Sequence, residues 1–270
     1  MLHNNLVQRI LSAAVILIVA IPVTIIGGPA FWLFVLVVAA AAWWECLTMG
    51  RAHGFRPFRV VGGVAVLGIC LLGAVPAQWR DLALLVAFGA IALASVLRRD
   101  YTGVLVDIAY TCFGVLWIGW LAGYAIYLRN VSGSVPGLPW LLTAIAITIA
   151  ADSGAYFSGR ALGRHLLAPR VSPKKTIEGL AGGLLAAGIV GAAAALLALQ
   201  QPWWLGALLG VVSGLAAVLG DLLESLVKRQ FDVKDSSRLI PGHGGVLDRI
   251  DSLLFVIPVV AGCVILIQSG

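Results

Sequence analysis

The chain has 270 residues, of which 61% are hydrophobic and 11% are charged, and its mean hydropathy is +1.02. Soluble domains carry about 25% charged residues, so this composition excludes a soluble domain, a disordered chain and a small disulfide-bonded scaffold. The net charge of +6 is typical of the basic cytoplasmic loops of a membrane protein, and we expect no nucleic-acid partner.

Apolar runs bounded by glycine, proline or charge predict an all-α, polytopic membrane protein with about nine transmembrane helices. The runs fall near residues 8–27, 30–48, 60–77, 82–97, 104–128, 139–157, 179–200, 203–226 and 252–268. The first run lacks a cleavage site, which favours a spanning helix over a signal peptide. We expect one integral domain, with N-terminal helices in residues 1–130 and a polar site in residues 131–270.

Basic residues alternate from loop to loop. One set of loops contains the segments near 158–178 and 227–249 together with Arg9, Arg51, Arg56, Arg59, Arg98 and Arg99. The opposite set contains only Arg80 and Arg129 and no lysine. Because cytoplasmic loops are enriched in basic residues, the pattern predicts a cytoplasmic N-terminus and an outside C-terminus in the cell inner (cytoplasmic) membrane.

Two clusters hold most of the charge in the second half. Residues 152–178 contain seven charged side chains and residues 221–251 contain eleven, whereas residues 179–220 contain none. Two apolar helices join the clusters and return the chain to the same membrane face. We therefore expect both clusters to lie on the cytoplasmic side, where they can meet.

The second cluster opens with a polar stripe that follows an apolar run and consists of Asp221, Glu224, Ser225 and Lys228. This spacing places the four side chains on one helix face. A charged side chain near hydrocarbon is costly, up to roughly 2.5–3.5 kcal/mol at the centre of a spanning helix, which favours function over a solvated helix end.

Acids recur where the last apolar run begins, since Asp248, Asp251 and Ser252 share a helical face. One interpretation is that they complement the helix dipole. The other is that Asp221 and Asp248, which flank one loop, lie side by side and need a cation between them. Magnesium prefers such oxygen ligands, so Asp221 and Asp248 are the predicted ligands, with Asp235 and Asp251 as alternatives.

The loop Pro241-Gly242-His243-Gly244-Gly245 lies between these acids. Glycines allow positive φ and let backbone amides approach an anion. A plain tight turn is the alternative, but nearby basic residues favour phosphate binding; they are Lys228, Arg229, Lys234, Arg238 and Arg249. His243 stays open as a loop filler, a phosphate donor or a proton carrier.

The first cluster contains Ser172-Pro173-Lys174-Lys175-Thr176. Serine followed by proline predicts a helix N-cap with proline at the first helical position. The helix start would then present amides and two lysines to one anion, while membrane-flanking lysines are the alternative. Upstream, Asp152 and Arg160 end a helix at the same surface.

These features predict a membrane enzyme or a transporter with a cytoplasmic site for magnesium and phosphate groups. A secondary transporter for a phosphorylated metabolite would carry its acids near the membrane midplane, whereas these clusters lie at one face. The sequence contains no Walker-type P-loop, no serine or cysteine nucleophile motif and no DG…AR…D…D pattern of CDP-alcohol phosphotransferases. Its four cysteines have no zinc or disulfide spacing.

The longest motif is Ser225-x-x-Lys228-Arg229-x-x-x-x-Lys234-Asp235-x-x-x-x-x-Pro241-Gly242-His243-Gly244-Gly245-x-x-Asp248-Arg249-x-Asp251. Shorter motifs are Asp152-Ser-x-Ala155-Tyr156-Phe157-x-Gly159-Arg160, Ser172-Pro173-Lys174-Lys175-Thr176-x-Glu178-Gly179 and Gly220-Asp221-Leu222-x-Glu224-Ser225. Together they resemble the signature of the phosphatidate cytidylyltransferases, also called CDP-diacylglycerol synthases. The resemblance is close in the C-terminal half and is only a hydrophobic pattern in the N-terminal half.

The resemblance implies that CTP and phosphatidate, a membrane lipid, give CDP-diacylglycerol and pyrophosphate with Mg²⁺, in phospholipid biosynthesis. A second, monovalent cation and a homodimer stay open. The expected catalytic residues are Asp221, Asp248, Lys228 and Lys234. The expected substrate-binding residues are Asp152, Arg160, Ser172, Lys174, Lys175, Thr176, Arg229, Asp235, His243, Gly244, Gly245 and Arg249.

Overall fold

The computed structural model describes residues 2–269, and most of them are helical. The helices in this range are α1 (Leu2–Ile26), α2 (Gly28–Ala52), α3 (Arg59–Leu71), α4 (Ala77–Val96), α5 (Val104–Gly114), α6 (Leu121–Asn130), α7 (Gly137–Leu162), α8 (Ile177–Ala194), α9 (Trp203–Gln230) and α10 (Leu247–Ser269). A 3₁₀ turn, Leu72–Ala74, extends α3, and π turns at Val115–Trp120 and Ala195–Leu199 follow α5 and α8.

Seven helical stretches among the described residues are long and apolar enough to cross a membrane. They are Gly28–Ala52, Gln78–Val96, Val104–Asn130, Gly137–Leu162, Ile177–Leu199, Trp203–Gln230 and Leu247–Gln268. The remaining two predicted segments are also helical, but their apolar parts, Ala14–Ile26 and Arg59–Ala74, are shorter. The polytopic helical class is thus confirmed. Nine crossings and the sides of the termini stay predictions, and Gly270 lies outside the described residues.

The chain forms two compact units. The first contains the residues up to Tyr127 together with Gln230–Arg249, and the second contains Leu128–Arg229 together with the residues from Ile250 onward. The division into residues 1–130 and 131–270 stays a prediction. The glycine-rich loop, however, packs with the N-terminal helices.

Small residues and one buried acid organise the first unit. The indole of Trp43 in α2 lies against Gly62 and Gly114, where a Cβ atom would overlap the ring. Asp107, which interrupts an apolar run, is buried and accepts a hydrogen bond from Arg98 Nη1 at 2.6 Å and another from the backbone N–H of Arg56 at 2.6 Å. This carboxylate therefore joins α5 to the segments that precede α3 and follow α4.

Glycines set the helix packing in the second unit. A Cβ atom at Gly154 of α7 would lie 2.7 Å from the carbonyl oxygen of Gly182 in α8, so these helices pack backbone to backbone. A Cβ atom at Gly220 of α9 would lie 2.5 Å from the carbonyl oxygen of Asp251 in α10. Close packing of this kind is common between transmembrane helices, and here it brings two acid-bearing turns together.

The predicted helix start at Ser172 is wrong, because Ser172 lies in a strand. Strands β1 (Leu166–Ala168) and β2 (Ser172–Thr176) form an antiparallel hairpin in which Leu166 pairs with Thr176 and Ala168 with Ser172. Helix α8 begins only at Ile177, and Thr176 is its N-cap, accepting a hydrogen bond on Oγ1 from the N–H of Gly179 at 3.1 Å. The fixed φ of proline is compatible with an edge strand as well as with the first turn of a helix, so Pro173 does not require a helix here. A two-stranded hairpin also tolerates its missing N–H.

Candidate active site

The glycine-rich loop is held in a tight turn within the first unit. Ile240 donates its N–H to the carbonyl of Gly244 at 2.9 Å, and His243 donates its N–H to the carbonyl of Ile240 at 3.0 Å. Gly242 and Gly244 have φ values of 77° and 84°. The prediction that glycines serve positive φ here is confirmed at both positions, because L residues with a side chain rarely adopt this region.

A basic pocket surrounds this turn. It has a volume of about 570 Å³ and is lined by Lys234, Asp235, Ser237, Arg238, Ile240, Pro241, Gly242, His243, Gly244 and Arg249. Three fixed cations therefore face one carboxylate and a histidine. The volume lies within the range of about 300–1,000 Å³ found for small-molecule sites, and the charge suits phosphate groups. Of the five basic residues predicted to bind phosphate, Lys234, Arg238 and Arg249 line this pocket, whereas Lys228 and Arg229 do not.

Asp248 fastens the base of the same turn. Its Oδ2 accepts hydrogen bonds from the N–H of Ser236 at 3.0 Å, from the hydroxyl of Ser236 at 2.9 Å and from the N–H of Gly245 at 2.7 Å. Three donors on one oxygen give this acid a structural role in the turn. Its role as a magnesium ligand stays a prediction.

Ser12 of α1 sets the orientation of the His243 ring. Its hydroxyl lies 3.0 Å from the carbonyl oxygen of Pro241 and 2.8 Å from Nδ1 of His243. The hydroxyl donates to the carbonyl, so it accepts from Nδ1–H of the histidine. A histidine whose Nδ1 donates in this way uses Nε2 for its second interaction. Sequence reasoning missed Ser12, because a serine in an apolar run carries no spacing signal.

Glu45 of α2 is a second residue that the sequence analysis missed. It is completely buried, and its carboxylate accepts hydrogen bonds from residues on both sides of the glycine-rich loop. The available signal was the acid itself: an ionisable residue within an apolar run is a functional candidate by default. Its partners lie far away in the sequence and could not be predicted.

Acids gather at one place in the second unit. Asp221 of α9 interacts electrostatically with both Asp152 of α7 and Asp251 of α10. The ammonium group of Lys175 in β2 pairs with Asp221, with 2.7 Å between Nζ and Oδ2. Three carboxylates and one directly paired lysine leave a surplus of negative charge, which attracts further cations.

The stripe predicted on α9 exists, and its members pair along the helix. Ser225 donates its hydroxyl to Oδ1 of Asp221 at 3.2 Å, and Lys228 Nζ lies 2.6 Å from Oε2 of the buried Glu224. The Lys228 charge also interacts with Asp251. The stripe therefore belongs to the acid cluster rather than to a freely solvated helix end.

The remaining predicted residues of the second unit lie on the hairpin and at the end of α7. Arg229 donates from Nε to the carbonyl of Val171 at 3.3 Å, which ties α9 to the hairpin. Arg160 donates to the hydroxyl of Tyr156 at 2.9 Å. Lys174 is exposed and Ser172 is half-buried on β2. Thr176 is occupied as the N-cap of α8, so its contact with substrate stays a prediction.

Comparison with known proteins shows the family of this chain. The model of the cytidylyltransferase family matches residues 7–267. The chain belongs to that family. It is 36% identical to the phosphatidate cytidylyltransferase of Synechocystis sp. over 96% of this chain and 97% of the relative. Proteins of the same name from Staphylococcus epidermidis and Bacillus subtilis are 34% and 32% identical, covering 97% and 93% of this chain and 99% and 94% of the relatives.

Membership extends the resemblance beyond the C-terminal motifs to almost the whole chain, including α1 and α2 with Ser12 and Glu45. It does not favour the transporter alternative. Cys46, Cys70, Cys112 and Cys263 are free thiols. Among residues 2–269, no group of three or more histidine, cysteine, aspartate and glutamate side chains is arranged to hold a metal ion by itself.

Proposed function

We propose that this chain is a phosphatidate cytidylyltransferase that transfers the cytidylyl group of CTP to phosphatidate in a membrane. The near-complete match to the cytidylyltransferase family, with relatives of that name aligned over almost their whole length, carries the proposal. The products are CDP-diacylglycerol and pyrophosphate. The basic pocket supports the proposal, because both substrates enter the reaction through phosphate groups.

The reaction needs positioning more than a strong base. A phosphate monoester carries a charge of about −1.5 to −2 at pH 7, so an oxygen of phosphatidate can attack the α-phosphorus of CTP directly. One P–O bond forms, the bond between the α-phosphorus and the bridging oxygen breaks, and pyrophosphate leaves with that electron pair. The protein supplies alignment and charge neutralisation. Lys234, Arg238 and Arg249 neutralise phosphate oxygens, and His243 holds or delivers a proton at Nε2.

The acid cluster suits magnesium. Mg²⁺ is usually held by one or two carboxylates together with waters and substrate phosphates, so it does not require a complete protein cage. Asp221 fits this requirement because it interacts electrostatically with two further acids, Asp152 and Asp251, and Lys175 compensates only part of their charge. When bound, the metal would neutralise the phosphate charge that develops on the leaving group. We propose Asp221 as the principal ligand and keep Asp248, Asp251 and Asp235 as the other candidates.

We further propose that the protein lies in the cell inner (cytoplasmic) membrane with its active site facing the cytoplasm. The bias of basic residues toward alternate loops supports this orientation. The chemistry agrees with it, because CTP is a cytoplasmic nucleotide and the acyl chains of phosphatidate stay in the bilayer. A homodimer and a second, monovalent cation are compatible with this proposal but are not needed for it.

The decisive test uses CTP labelled on the cytidine, incubated with purified protein, phosphatidate and Mg²⁺. We expect a labelled lipid product, with one pyrophosphate released for each lipid formed. Omission of phosphatidate should abolish the lipid label, and removal of magnesium with a chelator should stop turnover until Mg²⁺ is restored. Folded protein that releases no pyrophosphate and labels no lipid would refute the proposed activity.

A further inference from the structure

Glu45 places a carboxylate inside the apolar helix α2, where it is completely buried. Both of its oxygens are occupied. Oε1 accepts from the hydroxyl of Ser237 at 2.6 Å and from the N–H of Val246 at 2.8 Å. Oε2 accepts from the N–H of Leu247 at 2.8 Å and lies 3.1 Å from the hydroxyl of Ser236, whose single proton it shares with Oδ2 of Asp248. Each oxygen thus contacts one hydroxyl and one backbone N–H.

These four partners lie at the two ends of the glycine-rich loop. Ser236 and Ser237 precede the glycine-rich loop, whereas Val246 and Leu247 follow it at the start of α10. One carboxylate therefore joins the two ends of the segment that carries the pocket residues 237–244. The N–H groups come from the first turn of a helix, where the partial positive charge favours an anion.

Gly245 gives a second, independent indication. A Cβ atom at this position would lie 2.6 Å and 2.7 Å from the two Glu45 oxygens and would also overlap the hydroxyl of Ser236. A side chain cannot fit between the carboxylate and the loop. The glycine of the motif is therefore required by the approach of Glu45, in addition to any approach by a phosphate.

We propose that Glu45 is a positioning residue that holds the phosphate-binding loop in its working conformation. The proposal rests on the proposed cytidylyltransferase function and adds a residue from the N-terminal helices to it. Glu45 does not line the pocket, so it acts through Ser237, which does. Substrate phosphates then meet a loop that is already ordered, and less ordering entropy is lost on binding.

Glu45→Gln is the sharpest variant, because it keeps the size and removes one acceptor. In either orientation the new amide group faces a backbone N–H, which cannot reverse its direction. We expect kcat/KM for CTP to fall by about tenfold or more, mainly through KM. We also expect the amide hydrogens of Val246 and Leu247 to exchange with solvent at least about tenfold faster in the substrate-free protein. Glu45→Asp keeps the charge but is too short to reach both ends, and it should show the same loss.

Asp107→Asn is the matched control, since it alters another buried acid of the first unit that accepts hydrogen bonds from Arg98 and Arg56, outside the loop. We expect it to lower the melting temperature without changing the exchange of Val246 and Leu247 or the KM for CTP. If Glu45→Gln behaves like this control, with loss of activity that follows loss of folded protein, Glu45 is merely structural and the proposal is overturned.

Two further arms keep the test decisive. If Glu45→Gln fails to fold, Ser237→Ala removes one donor from the same carboxylate and should raise KM for CTP severalfold; unchanged kinetics and exchange would overturn the proposal. Amide exchange requires no substrate. Wild-type protein that makes no CDP-diacylglycerol would therefore refute the enzyme assignment, while faster exchange in Glu45→Gln would still support the loop contact.

Discussion

Lys175 and Asp221 form an ion pair between a β-hairpin and a long helix, with Nζ of the lysine 2.7 Å from Oδ2 of the acid. Both side chains are partly exposed, at 24% and 34% of their full areas, so the pair is accessible to a ligand. An exposed pair contributes little to stability by itself. The main effect of the pair is that the lysine neutralises part of the acid cluster and holds Asp221 in place.

The first prediction concerns this lysine and its neighbour. Replacement of Lys174 or Lys175 by alanine should lower catalytic efficiency about tenfold to a hundredfold, equivalent to roughly 1.4–2.8 kcal/mol of transition-state binding. Only Lys175→Ala should also change the Mg²⁺ concentration needed for half-maximal rate, because only Lys175 contacts Asp221. Arg170→Ala, an exposed cation on the same hairpin turn, is the control and should retain full activity. Full activity in both lysine variants would identify them as membrane anchors.

Asp221→Asn and Asp248→Asn should both abolish turnover, but for distinguishable reasons. Asp221 accepts one hydroxyl and pairs with one lysine, so its amide variant should melt near the wild-type temperature. Asp248 accepts three hydrogen bonds on one oxygen, and its amide variant should also lose about 1–3 kcal/mol of unfolding free energy. Thermal melting in detergent and the labelled-CTP assay separate the two effects. Substantial turnover in Asp221→Asn would remove it from the candidate ligands.

The close approach of α9 and α10 can be tested at one glycine. Gly220→Ala would place a Cβ atom 2.5 Å from the carbonyl oxygen of Asp251, so the helices must separate. We expect a loss of about 1–3 kcal/mol in unfolding free energy, as overpacking typically causes, together with a higher Mg²⁺ requirement. Gly262→Ala is the matched control, since nothing lies within 4 Å of its added Cβ. Equal stability of the two variants would contradict the packing described.

The corrected start of α8 gives a stability prediction. Thr176→Ala should cost about 1 kcal/mol, the usual effect of losing an N-cap, whereas Thr176→Ser should retain most of it. Ser172→Ala should leave the unfolding free energy nearly unchanged, because Ser172 begins a strand. Chemical denaturation of the three variants measures this difference. A larger loss at Ser172 than at Thr176 would restore the helix start predicted from the sequence.

Orientation is tested by single cysteines at exposed loop positions. A cysteine at Ser134, between α6 and α7, should react with a membrane-impermeant reagent added outside the cell. A cysteine at Arg170 in the hairpin turn should react only after the membrane is permeabilised. The wild-type chain, with its own four cysteines, provides the background. Outside labelling at Arg170 would invert the topology and exclude access to cytoplasmic CTP.

Local patterns predicted local features. The apolar runs, the positive φ at Gly242 and Gly244 and the polar stripe from Asp221 to Lys228 are all found, because each depends on neighbouring residues. The N-cap at Thr176 was missed because serine and threonine are both favoured at the N-cap position. The pairing of β2 with β1 places Ser172 in a strand and leaves Thr176 as the cap. Ser12 and Glu45 were missed for another reason. The partners of Ser12 lie at least 229 residues away in the sequence and those of Glu45 at least 191, and no spacing rule predicts contacts over such separations.

The distance between Glu45 and its partners has a consequence for biogenesis. Ser236 follows Glu45 by 191 residues, which at a translation rate of about 5–20 residues per second is a delay of roughly 10–40 s. During that time α2 carries an acid that has none of its final donors. The N-terminal unit therefore cannot be completed until one of the last segments has been synthesised. In a chain truncated before Ser236, that carboxylate lacks its four donors.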